Sequence, residues 1–339
     1  MAPSLSALAS IVVQRLAQLV LVVLGVLVIT FYFSHVAIPD PCAIWVPRAH
    51  PAQVAHCEAY FGIGQPIWVQ FERYIVSLLS GNWGIDPQGG QQVLPAILAA
   101  VPETVELVIA ALVIIVILGI PLGVVAGYYA NRAPDHAIRT VYILLWATPT
   151  YLAAVLAAIS VGPLLGLPTA EDFTTPPAFP QPLHMSVLDA LIAGNLGAAS
   201  DAFRHLILPA AVIALINFGI LTRVTRASML EVLPLSYVTT ARVKGLSEFI
   251  VIVKHALRNA LITATTVLGL QVGVLLSSTV IVESIFLWPG IGLYAYNAIT
   301  TYNYAGLEAS VLVFAIGVVV GNLVADIAYA FLDPRVNLQ

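Results

Sequence analysis

Six runs of the chain, roughly 16–34, 104–129, 140–166, 206–222, 259–282 and 307–331, are apolar and nearly free of charge. Each reaches about 17 residues or more, enough to cross a hydrocarbon core about 30 Å thick. In lipid every backbone polar group must be satisfied internally, so such runs are expected to be helices. The two-residue alternation of a membrane barrel is absent. Composition agrees: 60% of residues are hydrophobic and 9% charged, where a soluble domain carries about 25% charged residues. The sequence predicts an all-α polytopic membrane protein with six transmembrane helices.

The first run is too long for a signal h-region and continues into Tyr32, His35 and Pro39 rather than a small-residue cleavage site, so it reads as a retained helix. Pro121, Pro149, Pro163 and Pro209 fall inside the apolar runs and mark expected kinks. With the N-terminus cytoplasmic, ten basic residues lie inside: Arg15, Arg132, Arg139, Arg223, Arg226, Arg242, Lys244, Lys254, Arg258 and Arg335. Only Arg48, Arg73 and Arg204 lie outside. The positive-inside rule selects this orientation and puts both termini in the cytoplasm. No basic run suggests a nucleic-acid partner.

The chain then divides into three regions. Residues 1–36 hold the N-terminus and first helix, 37–100 form a long external loop region, and 101–339 form the transmembrane core. Another external segment, 167–203, is rich in proline, and the only long cytoplasmic connection is 223–258. Both cysteines, Cys42 and Cys57, fall in the first external region. In an oxidising exterior they are expected to pair, the alternative being two unrelated thiols. Glu103 and Glu106 stand at the external mouth of the second span, where the ordinary reading is favourable placement at a helix N-terminus.

The segment from Arg223 to Leu261 is the most informative. It is too polar to span and combines helix-forming pieces with a glycine break. The run from Tyr237 to Lys244 begins behind Ser236, a suitable N-cap. Gly245 supplies a turn in which a positive φ carries no steric cost. Periodicity alone also fits a basic loop lying against anionic lipid.

The order of residues goes further. Tyr237-Val238-Thr239-Thr240-Ala241-Arg242-Val243-Lys244-Gly245-Leu246-Ser247-Glu248, followed by His255-Ala256-Leu257-Arg258-Asn259-Ala260-Leu261, resembles the EAA-type loop of binding-protein-dependent ABC permeases. It is most similar to the B-type subunits of the dipeptide/oligopeptide/nickel branch. Thr225–Leu233, Val282–Gly292, Leu332–Arg335, Gly64–Phe71 and Gly119–Gly123 carry further likeness in the same order. The acidic residue that names the motif is replaced by Thr239, and residues 40–60 match nothing typical.

The resemblance implies a type I ABC importer-like permease whose coupling helix, within loop 223–258, seats in a groove of an ATPase. Tyr237, Thr239, Thr240, Ala241, Arg242, Lys244, Gly245 and Leu246 would carry that contact, Thr240 and Ala241 by being small, Arg242 and Lys244 by pairing with acidic groups. It implies a second, related C-type permease, two ABC ATPases that hold the ATP and Mg, and an extracytoplasmic solute-binding protein. The setting would be the cytoplasmic membrane of a prokaryote. No cofactor or metal is expected on the chain itself. The cargo would be di- or oligopeptides, with oligosaccharides or nickel chelates as the alternative.

Other classes find less support. The span centres carry no ionisable group of the kind a secondary transporter or channel would use for coupling, and Asp326 lies near the cytoplasmic end of the last helix. No HExxH pair, Gly-x-Ser-x-Gly elbow or phosphate-binding Gly-x-x-x-x-Gly-Lys-Ser/Thr occurs, so no enzyme or nucleotide site is expected. Polar residues within the spans, Asn217, Gln271, Ser277, Ser278 and Asn322, are candidates for the solute pathway. Each also fits a helix–helix hydrogen bond.

Overall fold

The computed structural model describes residues 5–35, 58–59, 62–86, 90–169 and 181–332, with side chains given over 17–33 of the first helix and up to 323 in the last. Among these residues there are helices and turns and no extended strand. In chain order the helices are α1 (Leu5–His35), α2 (Ile67–Leu79), α3 (Val93–Tyr128), α4 (Ala133–Trp146), α5 (Thr150–Leu156), α6 (Gly162–Leu165), α7 (Ser186–Ile192), α8 (Leu196–Val232), α9 (Ser236–Val243), α10 (Glu248–Ile250), α11 (Leu257–Phe286), α12 (Ile291–Thr300) and α13 (Tyr304–Leu332). Two π-helical segments interrupt them, at Ala157–Val161 and Val251–Ala256.

Among the described residues four helical stretches, Val93–Tyr128, Leu196–Val232, Glu248–Phe286 and Tyr304–Leu323, are long and apolar enough to cross a membrane. The pair Ala133–Trp146 and Thr150–Leu165 makes a fifth if counted as one span, although it is bent by 98°. The remaining apolar run expected from the sequence is α1, whose apolar described part is Ala17–Phe33. Both π-helical segments and the bend are absent from any hydropathy reading. The bend sits at Ala147-Thr148-Pro149, where Pro149 caps α5 and removes the amide that would continue α4. Pro163 opens α6 immediately after a π-helical segment, while Pro121 and Pro209 lie within unbroken helices.

Two spans also outrun their apolar cores. The second was expected over 104–129, but α3 begins at Val93; the fourth was expected over 206–222, but α8 covers Leu196–Val232. Charged residues at the ends had cut the apolar runs short. In the structure Glu103, Glu106 and Arg226 among them are met by partners on neighbouring helices, while Arg223 and Glu231 stay exposed.

α8 is the centre of the molecule, packed on α3, α4, α7 and α11. Its seam with α3 is set by glycines four residues apart. A Cβ on Gly119 would lie 2.9 Å from Leu221 Cδ2, one on Gly123 2.5 Å from Thr225 Cβ, and one on Gly127 2.6 Å from Met229 Cβ. With no side chain on α3 along that line, the backbones approach closely, the arrangement that drives helix association in lipid. The apolar core around this seam includes Leu107, Ile115, Ile213, Phe218, Leu221, Leu275 and Trp288.

Candidate functional site

One end of the bundle carries α9 and most of the basic residues and is called the basic end; the other is the far end. At the basic end α8 stops at Val232 and Pro234 follows. α9 then runs Ser236–Val243. Leu235, not Ser236, occupies the N-cap position, and no side chain caps the helix, so Ser236 is its first helical residue. Gly245 takes φ +76°, the left-handed turn expected of it, and its amide donates to Arg242 O at 2.9 Å.

The eight residues proposed for ATPase contact divide by face. Val238 and Ala241, three apart, are buried against Met229, Val251, Ala256 and Ala260. Ala241 therefore seats α9 on its own membrane domain instead of presenting a small outer surface. Tyr237, Thr239, Thr240, Arg242, Lys244, Gly245 and Leu246 are exposed. Thr240 Oγ1 donates to Ser236 O at 2.8 Å. Arg242 already has an acid: its Nη2 donates to Glu248 Oε1 at 2.8 Å across the Gly245 turn, and this raises the guanidinium pKa. Asn259 at the start of α11 donates from Nδ2 to the Tyr237 hydroxyl at 2.6 Å.

Two further features brace this end. The π-helical turn Val251–Ala256 leads directly into α11, so the α9 platform and the longest part of a span are one continuous piece. On the other side of α8, Arg226 binds Asp135 of α4 through both carboxylate oxygens, at 2.7 Å each. The Asn131 amide adds a third bond to Asp135 at 2.8 Å.

The far end is built differently. Glu103 and Glu106 lie well inside α3, not at its N-terminus, and both are buried. Their carboxylates serve another helix. Glu106 accepts from the Val187 and Leu188 amides at 3.2 and 3.1 Å, and Glu103 from the Ser186 hydroxyl at 2.6 Å, so the pair caps α7. Glu283 of α11 does the same for α12, accepting from the Gly292 and Leu293 amides at 2.6 and 3.2 Å. Thr104 joins the two systems. Its hydroxyl donates to Glu283 Oε1 at 2.8 Å and accepts from the Ile291 amide at 2.8 Å. The Trp288 indole N–H donates to Glu103 O at 2.9 Å. These partners are separated by up to 187 residues, which is why the sequence offered no pairing; the glycines beside Glu283, at 290 and 292, were the only local hint.

The five polar span residues do not converge on one place. Asn217 Nδ2 donates to Ile213 O at 2.8 Å, while the Asn217 backbone carbonyl accepts from Gln271 Nε2 at 2.9 Å, so both lie buried in the α8–α11 seam. Ser277 is exposed and Ser278 half-buried, their hydroxyls donating to Gly273 O and Val274 O. Asn322 lines a cavity of about 520 Å³ between α1 and α13, with Gln18, Leu21 and Val318. Cys42 and Cys57 lie outside the described residues.

Known proteins match this sequence along nearly its whole length. The chain is 37% identical over 333 residues to the Probable D,D-dipeptide transport system permease protein DdpB of Escherichia coli strain K12, covering 97% of each chain. It is 33% identical to the Dipeptide transport system permease protein DppB of Alkalihalophilus pseudofirmus, covering 96% of this chain and 98% of that one. It is 31% identical to the Glutathione transport system permease protein GsiC of Salmonella paratyphi A, covering 97% and 99%. Residues 119–338, which include α9 and the whole basic end, match the profile described as binding-protein-dependent transport system inner membrane component. The chain belongs to that family of multi-pass ABC importer permeases.

Proposed function

We propose that this chain is the B-type permease of a peptide importer and that α9 is its coupling helix. The observation that carries the reading is the two-faced α9, with Val238 and Ala241 locked into the membrane domain and Thr239, Thr240 and Lys244 exposed on the outer side. An ATPase docked there would push on a piece continuous with α11 through the π-helical turn and the Tyr237–Asn259 bond. In this reading the basic end and both termini are cytoplasmic, α1 is the sixth span, and a related C-type permease completes the pathway. Two ATPase subunits hold ATP and Mg, and a solute-binding protein docks at the far end. Nucleotide shifts the complex between inward- and outward-open states only through its different affinity for the two.

Peptides are the cargo favoured by the named relatives, two of which are dipeptide permeases and one a glutathione permease. The test is binding-protein-stimulated ATPase activity and peptide uptake by the whole complex in lipid. A chain carrying Gly245→Pro and Thr240→Glu, both at exposed positions, should insert normally and lose stimulation. Unchanged stimulation, or a purified complex with no ATPase activity, would move the assignment to an ATP-independent carrier. Uptake of oligosaccharides or nickel chelates instead of peptides would change the cargo and leave the coupling assignment standing.

A further inference from the structure

The short helix α2 presents three different sides. At about 100° per residue, Phe71 and Tyr74 fall on one side and Gln70, Arg73 and Ser77 on a second. Trp68, Ile75 and Leu79 fall within about 40° of one another on a third. The first side is packed. Phe71 meets Phe31 of α1 edge-on with ring centroids 5.0 Å apart, Tyr74 stands 5.7 Å from the same ring, and the Tyr74 hydroxyl faces Thr30 of α1 and Glu308 of α13. The second side is tied into the turns at either end. Gln70 Nε2 donates to Gln65 O at 2.8 Å, and Ser77 Oγ donates to Asn82 O at 2.7 Å. The third side is open: Trp68 is 70% exposed and Leu79 83%.

The packed side fixes how deep α2 lies. Tyr304 opens the membrane-crossing part of α13, and Glu308 is about 6 Å further in. Thr30 and Phe31 stand in the last turn of the apolar part of α1, which ends at Phe33. Just beyond α2, Trp83 packs with Val93, the first residue of α3, and with Ala305. Three long helices thus reach the far-end edge of their apolar lengths at the level of α2. There α1 turns Val28, Ile29 and Phe33 outward, so the open side of α2 continues an apolar surface already at membrane depth. A tryptophan at that level suits the boundary of lipid and water, where its ring is apolar and its N–H reaches polar groups. Glu72 flanks the open side and Arg73 lies on the polar one, so the helix carries no net charge.

We propose that α2 is an interfacial helix that lies in the leaflet at the far end, with Trp68, Ile75 and Leu79 immersed where headgroups meet acyl chains. A helix so placed buries its apolar face about 5–10 Å into that boundary. The partner is the lipid itself. Because the helix has no net charge, a zwitterionic lipid serves as well as an anionic one. Gln70, Arg73 and Ser77 then face water, and theirs is the side open to a soluble protein. Through Phe71 and Tyr74 the same helix holds α1 and α13 at a set depth. The proposal is independent of the cargo.

The test uses the complete complex in nanodiscs of phosphatidylcholine, either plain or brominated on the acyl chains near the carbonyl end or near the chain middle. Trp68→Phe keeps an aromatic ring, and subtracting its fluorescence from that of the native complex leaves the Trp68 emission. That emission should be blue-shifted, lose most of its intensity to bromine near the carbonyl end, and lose less to bromine at the middle. Added anionic lipid should change nothing. A second measurement places a spin label through Leu79→Cys or Ser77→Cys, with Cys42 and Cys57 replaced by serine, and compares collisions with oxygen and with a water-soluble nickel chelate. Oxygen should dominate at the Leu79 position and the chelate at the Ser77 position. Unquenched emission with the chelate dominant at Leu79 overturns the proposal, because the open side then faces water. Unquenched, blue-shifted emission with the Leu79 position closed to both reagents overturns it in favour of a protein cover, such as the second permease. Stronger quenching from the chain middle overturns the interfacial depth, and quenching only in the presence of anionic lipid overturns the indifference to headgroup charge.

Discussion

The two ends of the molecule hold themselves together by opposite means. At the far end Glu103, Glu106 and Glu283 are buried and each accepts hydrogen bonds from the start of a short helix. At the basic end the seat of α9 is apolar, through Val238, Ala241, Met229 and Val251, and its acid–base pair Arg242–Glu248 is exposed on the surface. Buried acceptors fixed on several amides define one geometry, because moving them strands donors away from water. A surface ion pair over an apolar seat tolerates small shifts at little cost. The far end is thus built as a rigid frame and the basic end as a joint, which fits the role proposed for α9 in passing motion into α11.

Substitutions that pit the frame against the joint should separate in size. Glu283→Ala strands the Thr104 hydroxyl and the Gly292 and Leu293 amides. At about 1–3 kcal/mol for each unsatisfied group, it should cost at least about 3 kcal/mol. Thermal unfolding of the purified chain measures this, and Glu283→Gln, which keeps an acceptor, should recover part of it. Asp135→Ala comes next. It leaves Arg226 and the Asn131 amide without their acceptor, at about 2–3 kcal/mol, since the carboxylate is fully buried but the arginine partly reaches solvent.

Gly123→Val tests the seam that joins the two ends. Its Cβ would fall 2.5 Å from Thr225 Cβ and 2.8 Å from Thr222 O, so α3 and α8 must separate, at about 1–3 kcal/mol. Transport should fall further than stability does, because the seam links the clamp to the joint. Arg242→Ala should be the mildest. It removes an exposed pair worth less than about 1 kcal/mol. An unfolding midpoint indistinguishable from native is expected; a loss rivalling that of Glu283→Ala would erase the contrast between frame and joint.

What the sequence made legible follows the same division. The apolar runs located the long helices because lipid demands them, and Gly245 with the polar run before it located α9 because a short amphipathic helix and its turn are local features. The clamp was not legible. Glu103 and Glu106 read as residues favourably placed at a helix start, yet α3 begins ten residues before Glu103 and their partners lie on α7, more than eighty residues away. Gly119, Gly123 and Gly127 recur every four residues, but nothing in that spacing names α8 as the partner. A kink at Pro149 was legible from the proline itself, but its size of 98°, and the π-helical turn before α11, depend on how neighbouring helices re-satisfy the backbone, which is set by tertiary packing. Likewise Arg242 looked available for an acidic partner until the Gly245 turn brought Glu248 against it.

In the proposed assembly the outer face of α9 meets the ATPase while its inner face holds the membrane domain. Thiol cross-linking in the assembled complex tests it directly, with a single cysteine introduced at Thr240 on the outer face or at Val238 on the inner one. Thr240→Cys should cross-link to the ATPase subunit and lose that product when the ATPase is stripped away, whereas Val238→Cys should give none. Cross-linking from neither position, or equally from both, would contradict the assignment of α9 as the coupling helix.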